Sequence, residues 1–272
     1  MKIEIYQIDA FATRAFEGNP AAVCPLDAWL PDELMQSIAA ENNLSETAFF
    51  VPEGEGFFIR WFTPSAEVAL CGHATLASAF VLFNILEFKG DRIDFNSKSG
   101  ILPVSRSGER LVLDFPSQPP EPCDTPKEII EAFEMTPKEC LKAEDYVVIF
   151  QNAEQVQTAN PNIDILRNLD CRGVIISAAS EEYDFVARVF APNLGILEDP
   201  VTGSAYTLLV PYWAKKSDKT VFHARQVSSR GGELFCELIG DRVRIAGRAV
   251  KYFEGSIEIE MGDFQAEVQE IG

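Results

Sequence analysis

Histidine is the scarcest reactive residue in this chain: His73 and His223 are the only two among 272 residues. That argues against a metal centre built from imidazoles, though not against one built from carboxylates, and no metal is expected. Cysteine occurs six times, at 24, 71, 123, 140, 171 and 236, but never as Cys-x-x-Cys and never densely. Without a thiol framework, the economical reading is reduced cysteines in a cytoplasmic protein. Long apolar runs are missing as well. None approaches the ~20 residues of a membrane-spanning helix, and Met1-Lys2-Ile3-Glu4-Ile5 reads as a strand, not an export signal. Basic residues are few: 23 Lys+Arg stand against 42 Asp+Glu, a formal charge of −19. A surface of that sign repels nucleic acid and anionic membranes, so neither is expected as a partner. It also repels small anions, so any anion site has to be local.

What is present is a repeat. An apolar fraction of 47% is ordinary for a globular protein and supplies a sizeable core. The run Glu198-Asp199-Pro200-Val201-Thr202-Gly203-Ser204-Ala205 has a partner in Leu70-Cys71-Gly72-His73-Ala74-Thr75. Both are glycine-containing loops that lead into apolar stretches of helical length. Arg60-Trp61-Phe62-Thr63-Pro64 stands before one and Arg188-Val189-Phe190-Ala191-Pro192 before the other, followed by Glu67 and Glu198. This is a two-fold internal repeat with an inserted loop.

The helix expected over His73–Leu86 is apolar almost all round, as is its counterpart over Ser204–Ala214, where Pro211 should introduce a kink. Short strands are expected on both sides of each helix. The proline-rich stretch 117–126 is the linker candidate. It divides the chain into an N-terminal half, 1–116, and a C-terminal half, 117–254, with a last strand within 255–272 returning to the first half. Each half is expected to be a curved, mixed sheet wrapped around one buried helix, an α+β architecture. Alternation over the strand Ser45–Val51 places Glu46 with Ala48 and Phe50 on one face.

A buried helix opening at a glycine presents unpaired backbone N–H groups and partial positive charge. Two such helices related by pseudo-symmetry would aim both N-termini into the cleft between the halves, where they could hold a carboxylate or a developing enolate. Glu46 is a candidate proton carrier. His73, directly after Gly72, is either a cap or a proton relay. Asp199 is either an anchor for its loop or a second proton carrier, and Ser204 either caps the second helix or bonds a ligand. Ser-His-Asp hydrolysis is disfavoured, because Ser204 lacks a Gly-x-Ser-x-Gly elbow. Racemisation by two opposed thiols is disfavoured too: Cys71-Gly72 is matched by Thr202-Gly203, and Cys71 reads better as a buried filler.

Several segments together resemble the PhzF-like family, named for an isomerase of phenazine biosynthesis. They are Asp9-Ala10-Phe11, Gly18-Asn19-Pro20-Ala21-Ala22-Val23, Leu44-Ser45-Glu46-Thr47-Ala48-Phe49, Arg60-Trp61-Phe62-Thr63-Pro64, Cys71-Gly72-His73-Ala74-Thr75 and Asp199-Pro200-Val201-Thr202-Gly203-Ser204-Ala205. They span most of the chain in order. The resemblance implies a diaminopimelate epimerase-like fold of two pseudo-symmetric halves, a cleft site, no cofactor and a homodimer. It implies a proton-shuttling Glu46, supporting groups at His73, Asp199 and Ser204, and ligand contacts at Ser45, Gly72 and Gly203. The expected function is a cofactor-independent isomerase that moves a proton between carbons of a small carboxylate-bearing substrate. The alternatives are a non-catalytic small-molecule or protein-binding module and an amino-acid epimerase or racemase.

Overall fold

Each half of the chain runs through one order of elements in the computed structural model, which describes residues 1–260. The first half begins with β1 (Lys2–Ala10) and β2 (Asn19–Pro25), crosses through helix α1 (Asp32–Asn42) to β3 (Glu46–Glu53), and turns into β4 (Gly56–Phe62). The two-residue strand β5 (Glu67–Val68) folds back on β4. Helix α2 (Gly72–Asn84) and the strands β6 (Arg92–Ser97), β7 (Gly100–Ser107) and β8 (Arg110–Pro116) follow. The second half starts with β9 (Glu121–Pro122), α3 (Lys127–Phe133), β10 (Glu139–Lys142) and β11 (Tyr146–Ile149). It crosses through α4 (Ala153–Thr158) and α5 (Ile163–Leu166) to β12 (Val174–Ala179) and turns into β13 (Phe185–Ala191). Then come β14 (Ile196–Asp199), α6 (Tyr206–Ser217), β15 (Val221–Gln226), β16 (Gly232–Ile239) and β17 (Arg242–Gly247).

Strand pairing repeats with the order. β2 runs parallel to β3 and β4 parallel to β6, while the other neighbours in that half are antiparallel. In the second half β11 is parallel to β12 and β13 to β15, again with antiparallel neighbours elsewhere. Antiparallel pairing of β8 with β17 joins the two sheets. The last described strand, β18 (Ala249–Glu258), pairs with β1 from Ala10↔Ala249 to Lys2↔Glu258. The returning strand therefore begins six residues before the Gly255 expected from sequence. Of the stretch 255–272, residues 261–272 lie outside the described residues.

The two buried helices hold the core. On α2, Ala74, Thr75, Leu76, Ala77, Ser78, Ala79, Val81, Leu82 and Phe83 are all buried, as a helix without a polar face requires. Its hydroxyls find partners within the helix: Thr75 Oγ1 donates to the Cys71 carbonyl at 2.6 Å and Ser78 Oγ to that of Ala74 at 2.8 Å. Each large apolar side chain buried here contributes roughly 1.5–3 kcal/mol. One continuous cluster surrounds α2 and α6, with smaller ones under α1 and under α3 to α5. β3 separates two of them, sending Ala48 and Phe50 towards α2 and Phe49 and Val51 towards α1. Pro211 sits inside α6 without ending it. Because proline has no N–H, the Thr207 carbonyl one turn earlier is left without its helical donor. It accepts from the Gln118 N–H at 3.0 Å, which fastens the linker to the helix. No helix among the described residues is long and apolar enough to cross a membrane.

Candidate active site

The repeated motifs build two matching frames. Arg60 on β4 donates to Glu67 through Nε at 2.8 Å and through a terminal nitrogen at 2.9 Å. Arg188 on β13 grips Glu198 in the same way, at 2.6 and 2.9 Å. Such two-point pairing fixes orientation as well as charge, and it aims the chain into the loops before α2 and α6. There Gly72 and Gly203 come face to face: a Cβ on either would stand 3.7–3.8 Å from the other's Cα. Both helices thus open onto one cleft of about 540 Å³, and Glu46, His73, Gly72, Asp199, Gly203 and Ser204 all line it.

Glu46 and His73 form the centre. Both are buried, and Glu46 Oε2 lies 3.1 Å from His73 Nε2. The two atoms are out of line for a hydrogen bond, and each lacks a hydrogen-bond partner among the described residues. Buried polar atoms are almost always paired, so an unpaired couple facing a cleft marks where a ligand completes the bonding. The other face of the imidazole is held from behind. Asn19 Nδ2 lies 3.2 Å and Cys71 Sγ 3.5 Å from His73 Nδ1. The Asn19 amide spends its two hydrogens on Asp199 and Val201, so the Cys71 thiol is the group left to donate to Nδ1, and the neutral ring then carries its proton on Nε2, towards Glu46. Burial alone would oppose a charged imidazole. The flanking Cys71 and Glu46 outweigh it and hold His73 well above its ordinary pKa. Between the two, the Glu46 carboxylate is the effective charge. Burial and Glu46 push the Cys71 thiol up to about 11, so the thiol is neutral near pH 7.

Asn19 joins the halves. Its amide donates to Asp199 Oδ1 at 2.7 Å and to the Val201 carbonyl at 2.9 Å. Thr202 Oγ1 donates to the other Asp199 oxygen at 2.5 Å, and the buried Gln226 holds the same loop through the Asp199 carbonyl and the Thr202 N–H. Burial raises the Asp199 carboxyl to about 6 even though these donors favour its charged form. Asn19 belongs to a segment recognised in the sequence, yet nothing in its local pattern set it apart as a site residue. The loop's turn chemistry was the available signal.

On the opposite wall, Ser204 Oγ lies 3.4 Å from a terminal nitrogen of Arg172. That arginine also lines the cleft, and sequence reasoning missed it. Its guanidinium is held by the buried Asp145 at 3.0 and 2.5 Å. Ser45, expected to touch ligand, is not among the residues lining the cleft. It directly precedes Glu46, in the bend before β3. Glu46, Cys71 and His73 are the trio of metal-ligating groups whose donor atoms lie within 4.8 Å of one another among the described residues.

A family described as phenazine biosynthesis-like protein, PhzC-PhzF, matches residues 8–255. A Pseudomonas aeruginosa protein named as an uncharacterized isomerase is 52% identical over 260 residues, covering 95% of this chain and 100% of the relative. The crystal structure of a PhzF family protein from Enterococcus faecalis superposes with a TM-score of 0.94 at 45% identity, over 95% of this chain and 100% of that one. A hydroxyproline epimerase from Agrobacterium vitis shares the fold alone, with a TM-score of 0.62 at 10% identity over 94% of this chain and 92% of its own. With its two matched half-sheets and one cleft between paired helix ends, the chain has the diaminopimelate epimerase-like fold and belongs to the PhzC-PhzF family of phenazine biosynthesis-like proteins.

Proposed function

We propose that this protein is a cofactor-independent isomerase that moves a proton between carbons of a small carboxylate-bearing substrate. The observation that carries the reading is the buried Glu46–His73 couple, 3.1 Å apart and unpaired, at the mouth of a helix N-terminus. In this reading the Glu46 carboxylate takes a proton from a substrate carbon. Negative charge that develops on the substrate meets the free N–H groups at the start of α2 and of the Gly203–Ala205 turn that leads into α6, which need no rearrangement to receive it. The proton returns to a different carbon, directly from Glu46 or by way of His73 Nε2. Asp199 acts through Asn19, which sets the imidazole, while Ser204, Gly72 and Gly203 contact the ligand. Relatives named as isomerases support the reaction class. The halves 1–116 and 117–254, a cytoplasmic location and a homodimeric state belong to the same proposal.

Solvent deuterium exchange into a panel of cyclic carboxylic acids tests it. Wild type is expected to exchange a carbon-bound hydrogen. Glu46→Gln keeps size and hydrogen bonding, so binding measured by calorimetry should stay within a few-fold while exchange falls by ~10²–10⁴. A Glu46→Gln protein that binds far more weakly, yet exchanges each bound molecule normally, would make Glu46 a binding residue. Tight binding by wild type with no exchange would identify a non-catalytic binder.

A further inference from the structure

The pairing registers show what stands in the second half where the first half has its proton carrier. Thr47 pairs with Phe62 across β3 and β4, and Val174 pairs with Phe190 across β12 and β13. Phe62 and Phe190 hold the same place in the two arginine-led motifs. Thr47 and Val174 are therefore counterparts, as are Glu46 and Gly173, and Ser45 and Arg172. Pairing on the other edge agrees. Ala22 lies beside Thr47 and Tyr146 beside Val174, which matches Ala21 to Asp145. His73 and Ser204 correspond through Gly72 and Gly203. Where the first half places a carboxylate against an imidazole, the second has Gly173 at the carboxylate's position, and the guanidinium of the neighbouring Arg172 lies against the Ser204 hydroxyl with the buried Asp145 behind it.

The two sides of the cleft are consequently of opposite kind. Asp145 takes the Nε hydrogen of Arg172 and one hydrogen of a terminal nitrogen, and Ser204 Oγ accepts that nitrogen's other hydrogen, leaving the two N–H donors of the second terminal nitrogen, which lies 3.8 Å from the exposed Glu144 carboxylate. These donors, the Ser204 hydroxyl 3.4 Å away and the first N–H groups of the Gly203–Ala205 turn converge on one wall of the cleft. The same cleft has an apolar border from both halves: Val68 and Leu70 on one side, Leu194 and Ile196 on the other. Leu70 and Leu194 stand half-exposed at the rim of the cleft, at 40% and 54%.

Building on the proton-transfer reading above, we infer that Arg172, set by Asp145, is the anchor for the substrate's carboxylate, which lies against the second half while the reacting carbon lies against Glu46. A planar fork suits a carboxylate better than a lysine does. It also overcomes locally the repulsion of a chain with net charge −19.

Calorimetry with benzoate and cyclohex-1-ene carboxylate, each beside its neutral amide, tests this without requiring turnover. Wild type is expected to prefer the acids by roughly tenfold or more, as charge-assisted bonds do. Arg172→Lys keeps the charge and Asp145 paired but loses the fork, and should lose most of that preference. Arg172→Gln combined with Asp145→Asn avoids stranding a buried carboxylate. It should abolish the preference while unfolding at a temperature near that of wild type. The inference is overturned if wild type binds acid and amide alike, if it binds neither acid, or if either folded variant keeps the full preference. Failure of the proton-transfer reading looks different: no Glu46-dependent exchange, with the acid preference and its dependence on Arg172 intact.

Discussion

Asp199 shows most directly how a residue can serve a site at the expense of the fold. Burial raises its carboxyl from 3.8 to about 6. The folded state therefore binds a proton more tightly than the unfolded chain, and stability falls as pH rises from about 4 through about 6. A shift of ~2 units corresponds to at most about 3 kcal/mol, absent below the unfolded value and fully felt above the folded one. Asp199→Asn removes this cost but weakens the acceptor for Thr202 and Asn19. The variant should melt a few degrees above wild type at pH 7.5 and lose that advantage by pH 4, while its isomerase activity falls. Paired melting curves across that range provide the check. A difference that does not change with pH would mean that the buried charge costs nothing. Glu46 and His73 carry the companion feature, a pair of polar atoms left without partners in the interior. Such groups are expensive to bury, and their presence in a cleft is intelligible if a ligand meets them.

At the scale of elements, the loop between β1 and β2 decides where Asn19 sits. Gly18 adopts φ +67, and a Cβ there would come within 2.1 Å of the Ala10 carbonyl oxygen. Its N–H donates to the Gly231 carbonyl at 2.6 Å, so the turn is also fastened to the second half. Gly18→Ala should destabilise the protein by roughly 3 kcal/mol, because backbone has to move as well as accept an unfavourable φ. Gly54, at φ +59 with nothing within 4 Å of its missing Cβ, is the matched control. There the same change should cost only about 1 kcal/mol. Urea unfolding of both variants measures the difference, and equal costs would show that the Ala10 contact is relieved without strain. The buried helices follow simpler rules. α2 and α6 are enclosed because they have no polar face, and their N-termini are free because glycine loops, not capping side chains, lead into them.

For the whole molecule, the connection between the halves is not confined to the linker. β8 pairs with β17, and β18 crosses back to cover β1 along its length. Ile257 and Ile259 pack against the cluster that contains Ile3 and Ile5. A chain ending after Arg248 would leave β1 without this partner and expose those isoleucines. Its Tm should drop on the order of 10 °C, since each kcal/mol lost moves a chain of this size by a few degrees. An unchanged Tm would show that the strand is dispensable. The charge of −19 acts at the same scale, favouring solubility and excluding polyanions. Only a locally positive pocket, such as helix ends and a clamped arginine provide, can attract an anionic ligand against it.

Local pattern determined much of this protein from the sequence by itself. Apolarity on every side of 73–86 and 204–214 marks enclosed helices, and alternation across 45–51 puts Glu46 with Ala48 and Phe50. The repeated arginine–proline and glycine motifs reveal the two-fold plan. These signals are legible because they depend on residues a few positions apart. Other features depend on which strands pair and in what register, information that no short window carries. Asn19 reaches Asp199 across 180 positions of chain. Arg172 becomes the counterpart of Ser45 only once β12 and β13 are aligned. β18 begins at Ala249, not Gly255, because its ladder with β1 extends that far. Tertiary structure alone decided these, since each places together groups whose separation along the chain hides their proximity.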